Sequence, residues 1–266
     1  MQLPLYHVDA FADRRFAGNP AAVVPLETWL PDDILQAIAA ENNLSETAFL
    51  VAAADGWELR WFTPAVEVDL CGHATLASAW VIANRLDPDR PAPATRRIAF
   101  QTRKAGLLTV TVDAAGLTLD FPARPAEAIE VPAGLVAALG GPSPQAILAA
   151  RDYLVVYDDE DVVRGLTPDF TALARLPRFG TIVTAPGRDV DFVSRFFAPA
   201  KGLNEDPVTG SSHCTLVPYW ADRLGHDTLT ALQVSARGGR LRCRREAARV
   251  LLTGSVVPYL EGMITV

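Results

Sequence analysis

Cysteine is scarce in this chain, and the little there is shows no paired spacing. Cys71, Cys214 and Cys243 are an odd number, far apart, which excludes a disulfide scaffold and suits free thiols in a reducing cytosol. The four histidines are scattered, and H-E-x-x-H is missing, so no metal is expected. Neither G-x-G-x-x-G after a strand nor G-x-x-x-x-G-K-[ST] occurs, so no nucleotide cofactor is expected. "TGSSHC" is not the G-x-S-x-G turn of a serine hydrolase. No apolar run reaches the roughly 18 residues of a membrane span. The start, "MQLPLYHVDAF", lacks a basic region followed by an apolar core, so the expected location is the cytoplasm and the expected partners include no membrane. Positive charge is also short. The formal net charge is −7, which argues against a general nucleic-acid binder. Arg240, Arg242, Arg244 and Arg245 cluster late, but the alternation of the first three reads as the solvated face of a strand.

Hydrophobic residues are half of the 266, ample for one large domain or two smaller ones. "LPLYHVDAF", "GNPAAVVPL", "ETAFLVAA" and "ELRWFTP" read as strands. "PDDILQAIAAENN" has proline and two aspartates at its start and apolar residues at helical spacing, so it reads as a helix. A further helix is expected over 73–86. "RIAFQT", "LLTVTVD" and "GLTLDFP" follow as strands, and the stretch from Pro122 to Pro132 as a connector. Strands and short helices continue through "ILAARDYLVVY", "GTIVTAP" and "DVDFVSRFF" to a second long helix over 210–224, and the chain ends in strands. Runs of strands with few helices predict an α+β organisation.

The chain echoes itself. "RWFTPA" at 60–65 resembles "RFFAPA" at 195–200, and "GHATLASAWVIANRL" at 72–86 resembles "GSSHCTLVPYWADRL" at 210–224. The second copy carries three extra residues before its glycine. Duplicated halves predict a small-molecule cleft at their junction, with both helix entrances, Gly72–His73 and Gly210–Ser211, turned to it. Each entrance offers amides without helical partners and the positive end of a dipole, the ingredients of a carboxylate clamp. In this alignment Cys71 corresponds to Thr209, and His73 to Ser211.

"AGNPAAVV", "NNLSETAFL", "FTPAVEVDLCGHATLASA" and "EDPVTGSSHC", in that order, resemble the signatures of PhzF-like proteins, relatives of the phenazine-biosynthesis isomerase with a diaminopimelate-epimerase-like fold. The resemblance spans essentially the whole chain. It implies two pseudo-symmetric halves, each a curved, mostly antiparallel sheet around a central helix. The first half is expected over 1–113 with a returning strand at 257–266, and the second over 114–256. It implies a cofactor-independent isomerase moving a proton on a small carboxylic acid, amino and hydroxy acids included. Glu46 matches the family's acid/base residue. Gly72, His73, Asp206, Gly210 and Ser211 match its substrate contacts, with Asn19, Cys71 and Thr209 as further candidates. The resemblance allows a homodimer.

The chain departs from epimerases that place a cysteine at each helix entrance. Thr209 stands where the second thiol would be, so a symmetric two-thiol mechanism is not expected, and Glu46 is the best single proton carrier. Such a glutamate works best where burial tunes it. On the residues alone each candidate also admits a plainer role. Glu46 could be an exposed strand start, Asp206 a complement to a helix dipole, Ser211 a cap, and His73 a hydrogen-bonded structural histidine. Two further functions stay open: a non-catalytic small-acid binding protein, and a thiol-dependent enzyme using Cys71.

Overall fold

The computed structural model of the chain describes residues 1–88 and 95–266 and divides into two units, Met1–Asp120 with Thr253–Val266, and Phe121–Leu252. In the first unit, β1 (Gln2–Ala10) lies antiparallel to both β2 (Asn19–Leu26) and the C-terminal strand Val256–Thr265. The helix α1 (Asp32–Asn42) carries the chain over to β3 (Glu46–Ala53), which runs parallel to β2. Asn43 ends α1 in a left-handed conformation, its N–H donating to the Ala39 carbonyl, so the strand begins almost at once. β4 (Gly56–Phe62) turns back antiparallel to β3 and pairs with β5 (Glu67–Val68).

Next comes α2 (Gly72–Val81), followed by a wider π-helical turn over 82–86, so the expected helix is present but changes pitch in its last turn. Ala74, Leu76, Ala77, Ala79 and Val81 are fully buried, and α2 packs on β1, β2 and β3. A helix apolar all round belongs in the middle of a core. Its two hydroxyls are satisfied internally: Thr75 donates to the Cys71 carbonyl at 2.6 Å and Ser78 to that of Ala74 at 2.7 Å. β6 (Thr95–Thr102), β7 (Leu107–Asp113) and β8 (Gly116–Pro122) form an antiparallel meander.

The second unit holds β9 (Glu127–Ala128), α3 (Leu135–Leu139), β10 (Ala146–Ala149), β11 (Tyr153–Val156), α4 (Glu160–Gly165), α5 (Phe170–Leu173), β12 (Thr181–Pro186), β13 (Phe192–Phe197), α6 (Gly210–Leu224), β14 (Thr228–Gln233), β15 (Gly239–Glu246) and β16 (Arg249–Gly254). "ILAARDYLVVY", where strands and short helices were expected, is a hairpin of β10 and β11 with Ala150–Asp152 at its tip. β12 joins β11 in parallel and β13 antiparallel, and β14 pairs with β13 and β15. α6 is buried over most of its length. Its Trp220 stacks on Phe192, with ring centroids 5.7 Å apart, and donates to the Thr184 hydroxyl at 3.0 Å. Along β15, Arg240, Arg242 and Arg244 are exposed or partly exposed, and the first two flank buried Leu241 with Cys243 next.

The sequence echo has a structural counterpart in each unit. Arg60 on β4 donates from Nε and Nη2 to both oxygens of Glu67 at 2.8 Å, and its guanidinium lies 5.0 Å from the Phe62 ring centre. Arg195 on β13 does the same to Glu205, at 2.7 and 2.9 Å, and lies 4.9 Å from the Phe197 ring centre. The first pair is seven residues apart and the second ten, so the three extra residues fall inside this loop. Chance matches between unrelated units would not preserve a bidentate ion pair together with its aromatic neighbour.

Candidate active site

The parallel register of β2 and β3 sets Ala21 beside Glu46, so the two strands start side by side, with Asn19 two residues before Ala21. α2 packs across these strands and brings its first turn to their ends. Asn19, Glu46, Cys71 and His73 meet there. His73 Nε2 lies 3.1 Å from Glu46 Oε2, and Nδ1 lies 3.1 Å from Asn19 Nδ2 and 3.5 Å from Cys71 Sγ. The His73 side chain is 6% exposed and that of Glu46 16%, so the pair is nearly dry but Glu46 keeps a path to solvent. The Oε2 and Nε2 atoms are buried with no hydrogen-bond partner among the described residues, although they face each other at ion-pair distance.

The electrostatics distinguish the thiol from the imidazole. Burial pushes the Cys71 thiol up to about 11, and the Glu46 charge pushes it the same way, against smaller opposing effects from His73 and the Ala74 amide. Cys71 is therefore a protonated thiol near neutrality. Burial opposes charge on His73, but Cys71 and Glu46 outweigh it and raise the imidazole well above its ordinary value. Cys71 caps α2 in extended conformation without a side-chain cap bond, and the first bond of the helix is Thr75 N–H to the Cys71 carbonyl. The amides of Gly72 and His73 thus have no partner within the helix.

The entrance of α6 is built differently. Thr209 occupies the cap position but does not cap, because its hydroxyl donates to Asp206 Oδ2 at 2.5 Å and its N–H donates to Gln233 Oε1 at 2.8 Å. Gln233 in turn donates to the Asp206 carbonyl at 2.7 Å. Asp206 is buried and its carboxylate holds its own loop. Ser211 accepts from Arg151 Nη2 at 3.0 Å. Arg151 is steadied by the buried Asp152 carboxylate at 2.9 Å and by the Phe179 ring, 4.3 Å from its guanidinium carbon. The sequence reading missed Arg151. Its signal was the charged "RD" pair breaking an otherwise apolar run, a mark of a hairpin tip rather than of a continuing strand. Gln233 carried no signal at all. His213 sits deeper in α6, its Nδ1 2.8 Å from the Thr209 carbonyl.

The phenazine biosynthesis-like protein family, PhzC-PhzF, matches residues 8–262. An uncharacterized isomerase of Pseudomonas aeruginosa is 52% identical over 264 residues, covering 99% of both chains. The human phenazine biosynthesis-like domain-containing protein is 38% identical over 293 residues, covering 100% of both. A solved PhzF family protein of Enterococcus faecalis superposes with a TM-score of 0.94 at 47% identity, covering 100% of each chain. A hydroxyproline epimerase of Agrobacterium vitis, 11% identical and covered to 92%, shares the fold alone, with a TM-score of 0.62. Fold and relatives together define an α+β enzyme of the isomerase type with the diaminopimelate-epimerase-like architecture. Within that class, the chain belongs to the PhzC-PhzF family of phenazine biosynthesis-like proteins. Among the described residues, no helix is long and apolar enough to cross a membrane.

Proposed function

We propose that this enzyme isomerises a small carboxylic acid without a cofactor, moving one proton between carbon atoms with Glu46 as the carrier. The observation that carries this reading is the state of the three side chains at the α2 entrance. The carboxylate is partly open to solvent and lies 3.1 Å from His73, while the neighbouring thiol is held protonated by burial. A thiol at about 11 is a poor base near neutrality, which weighs against the thiol-dependent reading. The Gly72 and His73 amides and the dipole of α2 favour a substrate carboxylate and the negative charge that spreads into it when the adjacent carbon loses its proton. Glu46 takes that proton and returns it to another carbon. His73 holds Oε2 and so orients the carboxyl group. At the α6 entrance, Arg151 and Ser211 offer a second anion-binding pair.

The test works whatever the product is. Small carboxylic acids, hydroxy and amino acids first, are incubated with the protein in deuterated water and read by mass spectrometry. Wild type should incorporate deuterium into one of them. Glu46→Gln should bind that acid but lose exchange and turnover by roughly a hundredfold or more. Binding without exchange across the whole panel would favour the non-catalytic binding protein. Near-normal exchange in Glu46→Gln, with loss in Cys71→Ser, would move the role to the thiol.

A further inference from the structure

We propose that Glu46, Cys71 and His73 form a binding site for a soft divalent cation, zinc above all. One ligand atom from each residue lies within 4.8 Å of the other two. The donor set is a sulfur, an imidazole nitrogen and a carboxylate oxygen, the three kinds that zinc takes in proteins. At zinc–ligand distances of about 2.0–2.3 Å, the edges of a tetrahedral site are roughly 3.3–3.6 Å long. Cys71 Sγ lies 3.5 Å from His73 Nδ1, already the length of one such edge, while Glu46 Oε2 lies 3.1 Å from the other ring nitrogen, Nε2. A single ion uses one ring nitrogen, so the remaining adjustment falls on side-chain torsions. Glu46, the least buried of the three, is long enough to supply it.

A second observation points the same way. Glu46 Oε2 and His73 Nε2 are buried and face each other at 3.1 Å as an ion pair, with no further hydrogen-bond partner among the described residues. Zinc would displace the proton held between these two groups and take their lone pairs in its place. The backbone holds the trio without strain: Glu46 opens a strand, Cys71 is extended at the helix cap, and His73 is in the first helical turn. Three protein ligands leave a fourth position for water or a substrate oxygen, the pattern of an open zinc site.

Binding and its consequence are separable. Occupancy ties up the carboxylate that carries the proton, so zinc blocks turnover reversibly; that consequence rests on the function proposed above, and the binding does not. The cation is an inhibitor here, not a requirement. The experiment titrates zinc into metal-stripped full-length protein by calorimetry and repeats it with cobalt(II), following the sulfur-to-cobalt charge-transfer band. One ion per chain and a visible band are expected. Cys71→Ser should abolish the band and, like Glu46→Gln, weaken zinc binding about tenfold or more, with circular dichroism confirming the native fold. His226→Asn removes an exposed histidine elsewhere and should change nothing. Absence of saturable binding, an unchanged affinity in Cys71→Ser, or a loss in His226→Asn would overturn the site. Zinc binding by wild type alongside full turnover in Glu46→Gln would leave the site standing and remove the proton-carrier reading instead.

Discussion

His73 and His213 are both buried histidines, yet their surroundings drive them in opposite directions. Burial takes the His213 ring down to about 4, partly offset by the Thr209 carbonyl. Its folded value lies below the ordinary 6.5, so the unfolded chain binds the extra proton between the two. The stability carried by the neutral ring is complete above 6.5 and is lost as pH falls through the folded value, about 2 kcal/mol between roughly pH 7 and pH 5. His73 has the reverse sign: its folded value is raised, so its contribution is complete below the unfolded value and lost as pH rises through the folded one. The two effects oppose each other in the wild type, and only a comparison isolates one. Urea unfolding of wild type and His213→Gln at both pH values should show the wild-type advantage shrinking by about 2 kcal/mol on acidification. Parallel pH slopes would contradict the depressed value. Cys71→Ser should retain most of the turnover once a substrate is found, since the thiol is protonated and acts at most as a neighbour of His73.

Two local devices hold the elements that present these residues. The first is the arginine pair of the echo, Arg60 buried and Arg195 partly buried. Arg60 joins Glu67 and Asp32, and Arg195 joins Glu205 and three backbone carbonyls on and just after α4, so each closes the loop that leads to a helix entrance. Removing Glu67 leaves the buried Arg60 guanidinium with only the exposed Asp32 carboxylate, and Glu67→Ala should cost about 3 kcal/mol in chemical denaturation. Replacing Arg60 and Glu67 together by methionine should recover most of that loss; equal costs for the single and double variants would show that packing, not charge, is at stake. The second device is Gly18, at φ +70, just before Asn19. A Cβ there would lie 2.3 Å from the Ala10 carbonyl oxygen. Gly18→Ala combines a left-handed backbone with a main-chain clash and should lower stability by roughly 2 kcal/mol or more. An unchanged melting temperature would refute that account.

On the scale of the whole chain, the strand Val256–Thr265 completes the first unit. It pairs with β1 from Gln2 to Ala10, with one irregularity at His7–Val8, while β2 takes the other side of β1. Without it β1 loses one of its two neighbours and exposes a long edge. A chain truncated after Ser255 should therefore melt without cooperativity or aggregate. A sharp thermal transition at the wild-type temperature would show that the strand is dispensable. Whole-molecule activity should also survive dialysis against chelator, because every group in the proposed mechanism belongs to the chain. Turnover lost to chelator and restored by a divalent metal would overturn cofactor independence.

Read alone, the sequence determined the elements whose signals are local. The helix over 210–224, the strands around "ADG" and the start of β3 at Glu46 follow from periodicity, caps and turn residues, which neighbours within a few positions decide. The repeated arginine–aromatic strand and glycine-opened helix were legible for the same reason. The hairpin at 146–156 was not, because apolar residues run almost unbroken through both strands and only "RD" marks the tip. Tertiary structure alone decided what meets what. Asn19 and His73 are 54 positions apart, and they touch because two parallel strands start level and a helix crosses their ends. From their spacing, Glu46, Cys71 and His73 form no ligand pattern, whereas in the fold their donor atoms lie within 4.8 Å of one another. Periodicity shows which face of an element is buried. The register between strands distant in sequence, and hence the chemistry at their ends, is set by packing of the whole core.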